Sequence, residues 1–96
     1  DPATGEIVPG GIEEQTRQVL TNLEAVLHSA GSCLDNALKT TVYLSDMQNF
    51  GAMNKVYGEF FLENPPARTT VAVAGLPKNA LVEIDVIAAV CPDRDC

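Results

Sequence analysis

The hydrophobic pattern changes period several times along the chain. In "IEEQTRQVLTNLEAVLHSAG" the apolar residues Val19, Leu20, Leu23, Val26, Leu27 and Ala30 recur at helical spacing and form one stripe. Glu13 and Glu14 suit the positive end of that helix, and Gly31 is a natural stop. In "ALKTTVYLSD" Leu38, Thr40, Val42 and Leu44 alternate with Lys39, Thr41 and Tyr43, which predicts a strand. "FGAMNKVYGEFF" returns to helical spacing through Met53, Val56, Tyr57, Phe60 and Phe61, a stripe suited to a core. Asp46 or Asn49 can cap this helix, and Asn64-Pro65-Pro66 ends it. Two runs rich in Val, Ile and Ala follow, 67–75 and 80–90, with "LPKN" between them as a turn. Near the start, "TGE" suits a hairpin tip, with Glu6, Ile7 and Val8 opening a strand before Gly10-Gly11 breaks it. The order is strand fragment, helix, strand, helix, strand, strand: a two-layer α+β domain with both helices on one face.

Read as a hairpin, the last two strands sort into faces. Val82, Ile84, Val86, Ala88 and Val90 share one face with Val71 and Val73 and are expected under the helices. The other face holds Arg68, Thr70, Ala72 and Ala74 with Leu81, Glu83, Asp85, Ile87 and Ala89. A turn centred on Pro77-Lys78 sets Glu83 opposite Ala72. Arg68 and Glu83 then lie about four strand residues apart, roughly 13 Å at about 3.3 Å each. This second face is too apolar for open water and too polar for a plain core. A subunit interface with a small polar cleft fits that mixture. Two merely solvated charges fit the composition as well.

Ninety-six residues make one domain, and 46% hydrophobic content supplies a core. A net charge of −7 opposes a nucleic-acid footprint and an anionic membrane surface. A single arginine can still bind a small anion. No apolar run is long enough for a membrane span, and no signal peptide is visible. Cys33, Cys91 and Cys96 fit free thiols in a reducing compartment better than a disulfide framework. His28 is the only histidine; it falls off the apolar stripe and reads as a surface residue, so no metal site is expected.

"PARTTVAVAGLPKNALVE" resembles the signature of the RidA family, also called YjgF, the reactive intermediate imine deaminases. The match is Pro66-Ala67-Arg68, then Leu76-Pro77, then a hydrophobic residue and Glu83, fifteen positions after the arginine. "LKTTVYLSDM", "FGAMNKVYGEFF" and "DPATGEIVPGGIEEQTRQVLTNL" are similar to the family's strand, second helix and first strand–helix junction, so the resemblance covers essentially the whole chain. The family's usual chain begins earlier, with two further strands that carry a tyrosine and a serine associated with the site. Residues 1–96, which open on Asp1-Pro2, therefore read as one RidA-like domain truncated at its N-terminus. Some members have a cysteine where this chain has Thr70.

The resemblance implies a chorismate-mutase-like α+β fold with an antiparallel-rich sheet and two helices on one face. It implies a homotrimer whose sheets line a central barrel, with a cleft between each pair of subunits. It further implies hydrolysis of reactive 2-imino or enamino acids, of the 2-iminobutanoate and 2-iminopropanoate type, to 2-keto acids and ammonia, with no metal or organic cofactor. Arg68 would grip the substrate carboxylate, Thr70 would add a substrate contact, and Glu83 would be the catalytic residue, orienting water or moving a proton. Asn54 matches the family's usual helix asparagine, although a capping or packing amide is the commoner role. The expected location is the cytosol, or the mitochondrion. Two alternatives belong to other classes: a carboxylate-binding or chaperone-like trimer without turnover, and an endoribonuclease or translation inhibitor, which the acidic balance opposes.

Overall fold

The computed structural model describes residues 10–62 and 65–90. The strand start at residues 6–8, Asn64, and the cysteines at 91 and 96 lie outside the described residues. Five main elements follow in order: helix α1 (Ile12–Ser29), strand β1 (Ala37–Leu44), helix α2 (Phe50–Phe60), strand β2 (Ala67–Ala72) and strand β3 (Val82–Ala88). Single 3₁₀ turns precede β1, α2 and β3.

Helix α1 starts where the sequence indicates. The Gly11 N–H donates to the Glu14 carboxylate at 2.7 Å, so one orphan donor of the first turn is satisfied by the acidic residue placed there. The helix ends at Ser29, and two residues on Gly31 takes φ +81°, a left-handed conformation that costs glycine little. The Ser32 N–H then closes back on the Leu27 carbonyl at 2.7 Å. Before α2, the Asp46 carboxylate accepts from the Gln48 N–H at 2.9 Å; Asn49 makes no side-chain cap.

The sheet order is β2-β1-β3. Strands β1 and β2 are parallel, with Thr40 beside Arg68, Val42 beside Thr70 and Leu44 beside Ala72. Strands β1 and β3 are antiparallel, with Leu44 beside Val82, Val42 beside Ile84 and Tyr43 beside Glu83. The three-stranded sheet is therefore mixed, with one pair of each kind. The predicted hairpin between the last two strands does not form, because β1 lies between them. The chain from β1 through α2 is long enough for the crossover that a parallel pair needs. Beyond β2 the chain passes around the end of β1. The Val73 N–H donates to the Leu44 carbonyl at 2.8 Å on one side, and the Ser45 N–H to the Leu81 carbonyl at 3.2 Å on the other. "LPKN" does turn the chain, with Lys78 and Asn79 both at φ +57°, but the turn belongs to this loop around β1.

One face of the sheet carries both helices. Leu20 of α1 and Met53 and Val56 of α2 are fully buried, as are Val42 and Leu44 of β1. Val82 and Ile84 of β3 join them, as their alternation predicts. Each such aliphatic side chain is worth about 1.5–3 kcal/mol relative to exposure. Several residues depart from the predicted faces: Val71, expected under the helices, stands beside Tyr43 on the other side of the sheet and is exposed, because β2 pairs with β1 and not with β3. Val26 is exposed at the edge of the α1 stripe, and so is Leu38. Leu38 is displaced because the β1–β3 register slips between Ala37 and Lys39, and Ala37 takes the inward place instead. His28 is exposed and Cys33 is a buried free thiol.

Candidate ligand-binding site

Strand β2 is an edge strand among the described residues, and Arg68 is its second residue. Its rung partner Thr40 is buried on the helix side, so Arg68 also projects to the helix side. There it meets α2. Phe50, Asn54 and Tyr57 stand at i, i+4 and i+7, one stripe of that helix. The guanidinium carbon lies 4.7 Å from the Tyr57 ring centroid and 5.4 Å from that of Phe50. Nη1 donates to Asn54 Oδ1 at 2.6 Å. Asn54 thus holds the arginine, and helical spacing from the core residue Tyr57 is the signal that would have found it.

Tyr57 is fixed from below. Its hydroxyl and Thr40 Oγ1 share a buried hydrogen bond of 2.6 Å, and its ring packs on Phe61 with centroids 4.5 Å apart. Thr70 follows Arg68 by two residues on the same face. Its Oγ1 is buried without a hydrogen-bond partner, one of two such side-chain oxygens among the described residues, with Thr16. Arg68 forms no ion pair with any described carboxylate, although acidic side chains outnumber basic ones in this chain. An exposed, aromatic-backed guanidinium without a carboxylate neighbour can accept a carboxylate ligand in two-point fashion.

Glu83 does not join this group. It faces the side of the sheet away from the helices, opposite Tyr43. Arg68 and Glu83 were expected on one face of a hairpin; they lie on opposite faces with β1 between them. Two strand spacings across and three residues along put their Cα atoms roughly 14 Å apart. The local company of Glu83 is acidic and phenolic. The Tyr43 hydroxyl donates to Asp85 Oδ2 at 3.2 Å. Partial desolvation first, and then that acceptor, push the Tyr43 phenol above its usual range. Lys39, Thr41, Val71 and Ile87 complete this outer face.

A separate concavity of about 380 Å³ runs along α1 between Glu13, Glu14, Arg17, Gln18 and Thr21. Its one cation already pairs with Glu59 at 2.8 Å, and nothing in it converges on Arg68. Among the described residues no three His, Cys, Asp or Glu side chains group as a metal site, and no helix is long and apolar enough to cross a membrane.

A small two-layer α+β domain with an exposed arginine held against one stripe of its second helix is the class these features define. The family model described as Endoribonuclease L-PSP matches residues 1–90, and the chain belongs to that family, the YjgF/RidA family. A RutC family protein of Pyrococcus horikoshii is 56% identical over 88 residues, covering 92% of this chain and 70% of the relative. The 2-iminobutanoate/2-iminopropanoate deaminase of Rattus norvegicus is 45% identical over 92 residues, covering 96% of this chain and 67% of the relative. The crystal structure of E. coli TdcF with bound serine superposes with a TM-score of 0.86 at 38% identity, covering 94% of this chain and 72% of that one.

Proposed function

We propose that the chain hydrolyses small 2-imino acids to 2-keto acids and ammonia. The observation that carries this reading is Arg68, oriented by Asn54, Tyr57 and Phe50 and lacking a described carboxylate partner. Mammalian relatives named for this activity, and a relative holding an amino acid, support it. Arg68 grips the substrate carboxylate and thereby fixes the adjacent C=N carbon. A water adds to that carbon, the nitrogen takes up a proton, and the C–N bond breaks to release ammonia and leave the keto acid. Held geometry and a fixed counter-charge supply most of what such a reaction needs. Thr70 follows Arg68 on the same face, and its unpaired Oγ1, buried in the free chain, reaches the same ligand only if the side chain turns outward.

Glu83 enters the reaction from a second copy of the chain. Within one copy it faces away from Arg68, so a cleft holding both requires two subunits, consistent with a homotrimer. The test is ammonia release from an imino acid generated in situ. Arg68→Lys keeps the charge but loses the planar fork, and turnover is expected to fall by about 100-fold or more with the assembly intact. Unchanged turnover would reject the anchor role.

The placement of Arg68 and Glu83 on opposite faces of one copy favours a second reading. If the Arg68 and Glu83 faces never meet in the assembly, the same arginine binds small carboxylates without hydrolysing an imine. Binding of 2-oxobutanoate with no ammonia release would establish that reading.

A further inference from the structure

We propose that Tyr57, anchored by Thr40, is a positioning residue that sets the direction in which Arg68 presents its guanidinium; this inference rests on the reading of Arg68 as a carboxylate anchor. Tyr57 is 5% exposed and looks like an ordinary core aromatic. Its constraints are more specific than burial. The hydroxyl is tied to Thr40 at 2.6 Å, and the ring lies against Phe61 at 4.5 Å. A ring held at its tip and on its side cannot swing. Its remaining face lies beneath Arg68, 4.7 Å from the guanidinium carbon.

Thr40, which anchors the ring, is also the rung partner of Arg68 in the β1–β2 pair. The same backbone rung therefore sets both the origin of the arginine and the height of the ring beneath its head group. Asn54 then takes one N–H of Nη1 and fixes the rotation of the guanidinium within its plane. A planar cation stacked on a ring turns its N–H edges away from the ring, and an edge with two parallel donors is what a carboxylate matches. An exposed arginine without this support would spread over many rotamers and pay that entropy on binding. Thr40 thus acts through Tyr57, and Tyr57 through Arg68; neither touches the ligand.

Two double variants separate the ring from its packing. Thr40→Val with Tyr57→Phe removes both hydroxyls together, leaves no buried hydroxyl unpaired, and keeps the ring. Thr40→Val with Tyr57→Leu removes the ring as well. Calorimetric titration with 2-oxobutanoate reads carboxylate affinity, and the proton shifts of the Arg68 side chain read its stacking. The Leu pair is expected to bind about fivefold more weakly, and the Phe pair, which keeps the ring and loses its tie to Thr40, to fall between the Leu pair and the wild type. Arg68 protons should be shifted upfield in the wild type and the Phe pair, and move most of the way back in the Leu pair, where only the more distant Phe50 ring remains. A Leu pair that is folded and binds as tightly as the wild type would overturn the proposal. So would ordinary Arg68 shifts in the wild type, a reading that needs no variant to fold. Should the wild type show the ring shift yet bind 2-oxobutanoate no better than Arg68→Ala, the stacking stands and the anchor reading fails instead.

Discussion

Asn54 and Arg68 are fourteen positions apart in sequence and 2.6 Å apart between their side chains. Their contact shows how the site is tuned at the residue scale. An amide oxygen orients the guanidinium without neutralising it, so its charge stays available to a ligand. Asn54→Asp puts a full carboxylate in the same place. Arg68 then pairs within the chain, and a ligand carboxylate must displace that partner. The expected result is weaker 2-oxobutanoate binding by about tenfold or more, with thermal stability unchanged or raised, since charge-assisted pairs are roughly twice as strong as neutral ones. Titration calorimetry beside a thermal melt checks both halves. Arg68 stood out in the sequence as a charge within an apolar run. Asn54 was marked only by the family resemblance, because a helix asparagine is ordinary until its neighbour across the fold is known.

At the scale of elements, the helices were legible and the strand partners were not. The α1 and α2 stripes follow from spacing alone, and Leu20, Met53 and Val56 are fully buried as expected. The bulge that exposes Leu38 was not legible, since a one-residue slip leaves no mark on alternation. The two helices are also strapped at the surface. Arg17 Nη1 and Nη2 donate to Glu59 Oε1 and Oε2 at 2.8 and 3.4 Å. The hydrogen bond from Arg17 holds the Glu59 carboxyl below the usual glutamate value, partly offset by desolvation. A lowered folded pKa means that the contribution is present at neutral pH and lost as pH falls through the folded value. Glu59→Gln should therefore melt slightly lower than the wild type at pH 7 and low salt. The gap should close below the glutamate range and also in high salt, because the pair is half-exposed. A gap that persists in acid would mean that Glu59 acts by packing rather than charge.

For the whole molecule, the outer face of the sheet is the feature that requires a partner under the trimer reading. It carries Ile87 at 62% and Val71 at 37% exposure beside Tyr43, Glu83 and Asp85. Ile87→Asp places a third acidic side chain among those carboxylates and removes apolar area. The wild type is expected to sediment at about three times its 10.2 kDa chain mass, and the variant to shift toward monomer. Imine turnover should fall with it, because Arg68 and Glu83 meet only across copies in that reading. A variant that stays trimeric would place the contact elsewhere.

The sequence by itself determined both helices, the α+β class and the apolar face of β3, and it singled out Arg68 as a charge to explain. These are local matters of period, caps and one charge in an apolar run. The tertiary structure decided that β1 separates β2 from β3, that Arg68 and Thr70 face α2, and that Glu83 faces the other way. Two neighbouring apolar runs joined by a turn are as compatible with a hairpin as with a loop around a third strand. The choice rests on β1 and β2 pairing in parallel after α2 returns the chain, a long-range contact that no local pattern records. The inference from face to function therefore changes: the surroundings of Arg68 are built from β2 and one stripe of α2, and Glu83 stands on the opposite face.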